Sequence, residues 1–225
     1  MENDSKAGIW NLTEGNSYKP DPQATEVTRQ RYQRIAPFYD LMELLPERLY
    51  RPWREHLWSL VEGLEVLEVG VGTGRNVEFY PEGKHITAID LASGMLDRAV
   101  QRAKALGKKV DLRLMDVQSL EFPDATFDTA VATCVFCSVP DAVLGLRELR
   151  RVTKPGGLVL LLQHVRSESP VLGRLMDLLN PLVVRMMGAN INRRTPEDVR
   201  QAGLFVEEVK SFGMGDVFKL IIARR

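Results

Sequence analysis

The stretch Val66-Leu67-Glu68-Val69-Gly70-Val71-Gly72-Thr73-Gly74-Arg75-Asn76 decides the reading of this chain. An apolar run ends in three alternating glycines, as a buried strand does when it breaks into a tight loop before a helix. Glycine lets backbone N–H groups approach a ligand with no Cβ in the way. The next apolar run, 85–89, ends at Asp90. A carboxylate about twenty residues after such a loop is where nucleotide-binding βαβ units hold a ribose.

Working outward, strands and helices alternate. The patterns predict strands over 64–69, 85–90, 109–115, 127–133 and 157–164, with helices at about 74–80, 94–106 and 141–152. Within the second of these helices, Met95, Leu96, Ala99, Val100, Ala103 and Leu106 recur at helical spacing, and Gly107 stops it. Lys154-Pro155-Gly156-Gly157 reads as a turn. Thr195-Pro196-Glu197-Asp198 reads as a helix start with a capping hydroxyl. The runs 204–210 and 217–223, separated by a brief loop, read as an antiparallel hairpin at one sheet edge. The expected fold is α/β: a doubly wound, Rossmann-like, seven-stranded, mostly parallel sheet with a C-terminal hairpin. The expected organisation is a flexible arm over 1–25 and one domain over 26–225. That domain divides into N-terminal helices (26–61), a cofactor-binding core (62–165), a substrate-side lid (166–194) and a C-terminal helix and hairpin (195–225). Pro37, Pro46 and Pro52 are expected to cut the N-terminal helices into pieces.

Composition narrows the function. In 225 residues, 30 basic and 30 acidic side chains cancel, so no global field recruits nucleic acid. The polar N-terminus does not read as a secretory signal, and no apolar stretch reaches bilayer length. Two cysteines suit a reducing cytoplasm, and the expected location is cytoplasmic. The amphipathic pieces 38–58 and 170–188 mix Trp, Tyr, Leu and Met with Arg. They suit core packing, a lid over an apolar acceptor, or peripheral contact with a membrane surface.

The glycine loop has three readings. It is not a P-loop, because the Lys-Ser/Thr is missing. As a dinucleotide fingerprint it carries Arg75 where the third glycine belongs. Glu68 favours the third reading: a carboxylate just before the loop repels pyrophosphate but suits an ammonium. S-adenosylmethionine offers an ammonium, a sulfonium and no phosphate. A nicotinamide-dependent oxidoreductase and a non-catalytic S-adenosylmethionine-binding module are the alternatives from other classes. Cys134 and Cys137 have C-x-x-C spacing, but His56, His85 and His164 are not spaced to complete a metal site, so no metal is expected. His164, at the end of the fifth strand, is a candidate general base or substrate contact.

Together the E-x-G-x-G-x-G loop, Asp90, Asp116 and the Lys154-Pro155-Gly156-Gly157 turn resemble class I S-adenosylmethionine-dependent methyltransferases, over about residues 30–225. "YDLME…RPWRE", "VPDAVLGLRELRRVTKPGG" and "NRRTPEDVRQAGL" resemble the branch of quinone C-methyltransferases, phospholipid N-methyltransferases and thiol methyltransferases. The resemblance implies that Gly70, Gly72 and Gly74 line the methionine moiety, with Glu68 near its amino group. Asp90 would hold the ribose hydroxyls, Leu91 and Met95 would flank the adenine, and Asp116 would meet the adenine amino group beside Val117 and Gln118. Thr73, Asn76, Thr133 and Cys134 join the cofactor-binding positions, and Tyr39 resembles a cofactor-covering tyrosine. Phe136, Arg166 and Asn192 join Tyr39 and His164 on the substrate side. The product would be S-adenosylhomocysteine. The acceptor would be a small or lipid-like molecule: a quinone precursor or aminophospholipid, or alternatively a small soluble thiol or amine. Oligomeric state is not readable.

Overall fold

In the computed structural model, which describes residues 19–225, seven strands form one sheet in the order β3-β2-β1-β4-β5-β7-β6. They are β1 (Glu65–Val69), β2 (His85–Asp90), β3 (Asp111–Leu114), β4 (Phe127–Thr133), β5 (Thr153–His164), β6 (Phe205–Phe212) and β7 (Phe218–Arg224). The first five run parallel, β7 pairs antiparallel with both β5 and β6, and the hairpin closes one edge. The doubly wound sheet and edge hairpin are those expected.

Among the described residues six helices cover it: α1 (Pro22–Met42), α2 (Leu44–Ser59), α3 (Ser93–Ala105), α4 (Ala142–Val152), α5 (Pro170–Met187) and α6 (Thr195–Gln201). Alternation along each strand sorts the core onto two faces. Leu67, Val69, Ala130, Ala132, Val159 and Leu161 pack under α4 and α6. Val66, Val131, Leu158, Leu160 and Leu162 pack with Leu57 and Trp58 of α2 and Ala103 of α3. Glu68 and His164 fall on this second face, in step with Val66 and Leu162.

Several local expectations are corrected. Helix α1 starts at Pro22, inside the stretch expected as an arm, because the Asp21 carboxylate caps it by accepting from the Gln23 and Ala24 amides. Residues 1–18 of that arm lie outside the described residues. Pro37 and Pro52 sit inside α1 and α2 without breaking them, so two long helices replace the expected fragments. No regular helix follows the glycine loop; turns lead into a single 3-10 turn, Val77–Phe79. Asn76 and Tyr80 are held inward there by Glu68. The Lys154–Gly157 turn is a bulge within β5, between the pairs Phe127↔Thr153 and Thr129↔Leu158. Thr195 is buried and does not hold the N-cap position of α6; Arg194 does, without a side-chain capping bond.

Helix α1 determines access to the carboxyl end of the sheet. Ala36, Tyr32, Ile35 and Tyr39 pack on Ala92 and Met95. Gln33 caps α3 from across the interface: its Oε1 accepts from the Gly94 amide at 2.8 Å and the Ser93 hydroxyl at 3.1 Å. No helix among the described residues is long and apolar enough to cross a membrane.

Candidate active site

The glycine loop is tied to the next strand through its backbone. Val71 N–H donates to the Ile89 carbonyl at 2.9 Å, and Gly72 N–H donates to Asp90 Oδ2 at 2.8 Å. The other Asp90 oxygen accepts from Ala92 N–H at 2.9 Å. Burial raises the Asp90 pKa, against the lowering effect of these amides. Gly70, Gly72 and Gly74 all have positive φ, but their surroundings differ. A Cβ on Gly74 would stand 3.0 Å from the Ala99 backbone, whereas one on Gly72 would meet nothing within 4 Å. Gly72 therefore faces open space that a ligand can enter, and Gly74 is needed for packing against α3.

A cleft of about 90 Å3 lies beside this loop, narrow because α1 contributes Thr28 and Tyr32 across it. Gly70, Asp90, Leu91, Asp116, Val117 and Cys134 line it as expected of cofactor positions. Val135 and Ser138, in the stretch that follows the fourth strand, line it too, and so do residues missed in the sequence: Ile89, Met115, Val139 and Pro140. No sequence signal marks them, because the loops after β3 and β4 meet α1 only in three dimensions. Tyr32 Oη and Ser138 Oγ lie 2.5 Å apart, joining α1 to the loop after β4. The lining holds two carboxylates and no Lys, Arg or His. That donor set suits a ligand with hydroxyls and positive charge and opposes a pyrophosphate.

Asp116 is already partnered. Its carboxylate accepts from Gln118 N–H at 2.9 Å and from the Thr25 hydroxyl at 3.2 Å, while Gln118 Oε1 accepts from Asp141 N–H at 3.0 Å. Glu68 stands behind the loop rather than on the cleft wall. It is fully buried, accepts from Asn76 Nδ2 at 2.5 Å and from the Tyr80 hydroxyl, and burial pushes its pKa up to about 7. Asn76 also donates to the Thr133 hydroxyl at 3.1 Å and accepts from Arg54 Nη1 at 2.9 Å. Thr73 donates to Asp40 Oδ1 at 2.7 Å, and Arg102 and Arg75 join the same carboxylate. The N-terminal helices are thus fastened to the glycine loop by charged and hydroxyl groups. Arg54 Nε, Arg75 Nε and Glu47 Oε2 are buried there without hydrogen-bond partners. Charge pairs them instead: Arg54 Nε lies 3.4 Å from Glu47 Oε1, and Arg75 Nη1 lies 3.7 Å from Glu47 Oε2. Arg54 is a residue that the sequence reading missed.

Residues 67–161 match the methyltransferase domain family. The chain carries a class I S-adenosylmethionine-dependent methyltransferase domain. Its cofactor is S-adenosylmethionine. Among curated relatives, a phosphatidylethanolamine N-methyltransferase of Cereibacter sphaeroides is 39% identical over 112 residues, 48% of this chain and 55% of that protein, so the match spans about half of that relative. A demethylmenaquinone methyltransferase of Bacteroides fragilis is 25% identical over 218 residues, 92% of this chain and 86% of the relative. The crystal structure of SpnF, named as a 4+2 cyclase, superposes with a TM-score of 0.72 at 18% identity, covering 92% of this chain and 97% of that one. At that identity the likeness shows the fold alone.

The remaining expected positions of the methyltransferase sit around the cleft rather than on it. Met95 and Tyr39 pack together under α1. Phe136 is core, with no exposed surface. His164 is half-buried on the α2 face, its ring edge-on to Phe218 with centroids 5.1 Å apart, and burial lowers its pKa. Its backbone amide faces the Cys134 sulfur, which lines the cleft. Burial pushes the Cys134 thiol up to about 12, so it stays a neutral wall group. Arg166 and Asn192 both reach Asp177 of α5, at 2.8 Å and 3.2 Å, rather than entering the cleft. No cluster of three or more His, Cys, Asp or Glu able to hold a metal occurs among the described residues.

Proposed function

We propose that this methyltransferase alkylates an apolar, lipid-like acceptor, a quinone precursor or an aminophospholipid, and that α5 with the α1–α2 joint rests on a membrane surface while it does so. The outer face of α5 carries the reading: Val171, Leu175, Leu178, Leu179 and Leu182 are all exposed. The α1–α2 joint adds Phe38, Leu41, Met42, Leu44 and Leu49. Isolated exposed apolar residues are ordinary, but five clustered on each of two covers are more than water favours. At one point the two covers touch: Gly188, at the end of α5, lies against Arg31 of α1. The names of the relatives, for demethylmenaquinone and phosphatidylethanolamine, agree with such an acceptor.

Bound S-adenosylmethionine supplies a methyl group on a cationic sulfonium, electrophilic without further activation. In our reading Asp90 accepts from the ribose hydroxyls, Asp116 and Gln118 face the adenine, and the Gly72 backbone lets the methionine end pass. Arg54 meets the carboxylate, and Thr73 and Asn76 hold the loop that receives it. Tyr32 and Ser138 close the cleft and exclude water, so the chain acts chiefly by positioning. His164, neutral at pH 7, takes the proton where the acceptor arrives protonated.

The test incubates the full chain with methyl-labelled S-adenosylmethionine and a lipid extract, and counts label in the organic phase. Label there supports the reading, and chromatography separates quinone from phospholipid. Label only in soluble thiols or amines refutes it.

A further inference from the structure

A second cavity, of about 270 Å3, lies on the other face of the sheet from His164. It forms where Val165 ends β5, beside Lys219 of β7 and the start of α6. Its lining carries five cationic side chains, Arg166, Arg193, Arg194, Arg200 and Lys219, against two acidic ones, Glu168 and Glu197. Basic and acidic residues balance over the whole chain, so this surplus is local.

The partners sort the five. Arg166 is held by both oxygens of Asp177, and Arg194 faces Glu197 at 3.4 Å. Arg200 hydrogen-bonds only to a carbonyl, that of Pro196 at 3.2 Å. Arg193 Nη2 donates to the Val139 carbonyl at 2.8 Å and more weakly to that of Pro140, with Asp198 as its electrostatic neighbour, and its Nε is buried without a partner. Lys219 is sunk in the sheet with a side chain 8% exposed, yet its counter-ion is Glu168, 75% exposed. The carboxylate half of that pair is largely solvated, so an incoming anion can take its place beside Lys219 while Glu168 returns to water. A tetrahedral oxyanion entering the cavity would then gain charge-assisted bonds from groups already in place.

We propose that this cavity is an oxyanion site for a phosphate group, with Lys219, Arg200 and Arg193 as its cationic ligands. Free phosphate and the phosphodiester of a lipid headgroup share this chemistry. Arg193 joins the site to the cofactor cleft, because Val139 and Pro140, whose carbonyls it holds, line that cleft. The assignment does not depend on which acceptor is methylated.

Calorimetry of the full chain with inorganic phosphate, and separately with glycerophosphoethanolamine, both at fixed ionic strength, tests it. The expected result is saturable binding of at least one probe, weakened about tenfold in Arg200→Gln and in Lys219→Gln. Arg200 is exposed, so its variant keeps the test valid even where loss of Lys219 disturbs the sheet. Tighter binding of the phosphodiester assigns a headgroup; tighter binding of phosphate assigns the free ion. Absence of saturable binding by either probe, or full affinity in Arg200→Gln, overturns the proposal.

Discussion

Gly72 N–H donates to Asp90 Oδ2 at 2.8 Å, so the loop leaving β1 and the end of β2 are one hydrogen-bonded unit. The same carboxylate holds the Ala92 amide before α3. Asp90 therefore shapes the loop as well as facing the cleft. Asp90→Ala should abolish binding of S-adenosylhomocysteine in calorimetry and, by stranding two amides, cost about 1–3 kcal/mol in urea unfolding. Cofactor affinity like that of the unsubstituted chain would remove Asp90 from the binding site.

The two glycines of the loop should respond differently to the same change. Gly72→Ala puts a methyl into open space at φ +56. It should unfold only about 1–2 kcal/mol more easily yet lose most cofactor affinity. Gly74→Ala drives its methyl to 3.0 Å from the Ala99 backbone and should destabilise more strongly. Unchanged cofactor affinity in Gly72→Ala would show that the space at Gly72 is not reserved for a ligand.

Glu68 predicts a pH slope. Burial raises its pKa from 4.5 to about 7, so between those values the folded chain holds a proton that the unfolded chain has released. Stability therefore falls as pH rises through this window, by about 3 kcal/mol at most, and levels off above it. Glu68→Gln should flatten the slope in denaturation midpoints measured across pH 4.5 to 7. An unchanged slope would assign it to another group.

His164 has its pKa lowered by burial from 6.5, which leaves the ring neutral at pH 7. Turnover that uses it as a base should therefore fall on acidification only below 6.5. His164→Ala should reduce kcat by about 100-fold without changing affinity for S-adenosylhomocysteine. Unaltered turnover would leave His164 as a packing partner of Phe218 alone.

What the sequence determined by itself is what short-range pattern can carry. The glycines after an apolar run, the spacing to Asp90, the alternation of strands with helices and the two closing runs specify the sheet and the loop beside which the cleft opens. They do so because strand and helix periodicities and glycine's backbone freedom act within a few residues. Local rules misjudged Pro37 and Pro52, where tertiary packing of α1 and α2 outweighs a lost helical bond. They missed the irregular backbone after Gly74, where Asn76 and Tyr80 turn inward to the Glu68 carboxylate. Only the tertiary structure decided that Glu68 lies behind the loop and that Tyr32 meets Ser138 across 106 positions of sequence. It alone gathered Arg193, Arg200 and Lys219 around a second cavity. Those relationships depend on burial, desolvation and contact between distant segments, none of which is a property of neighbouring residues.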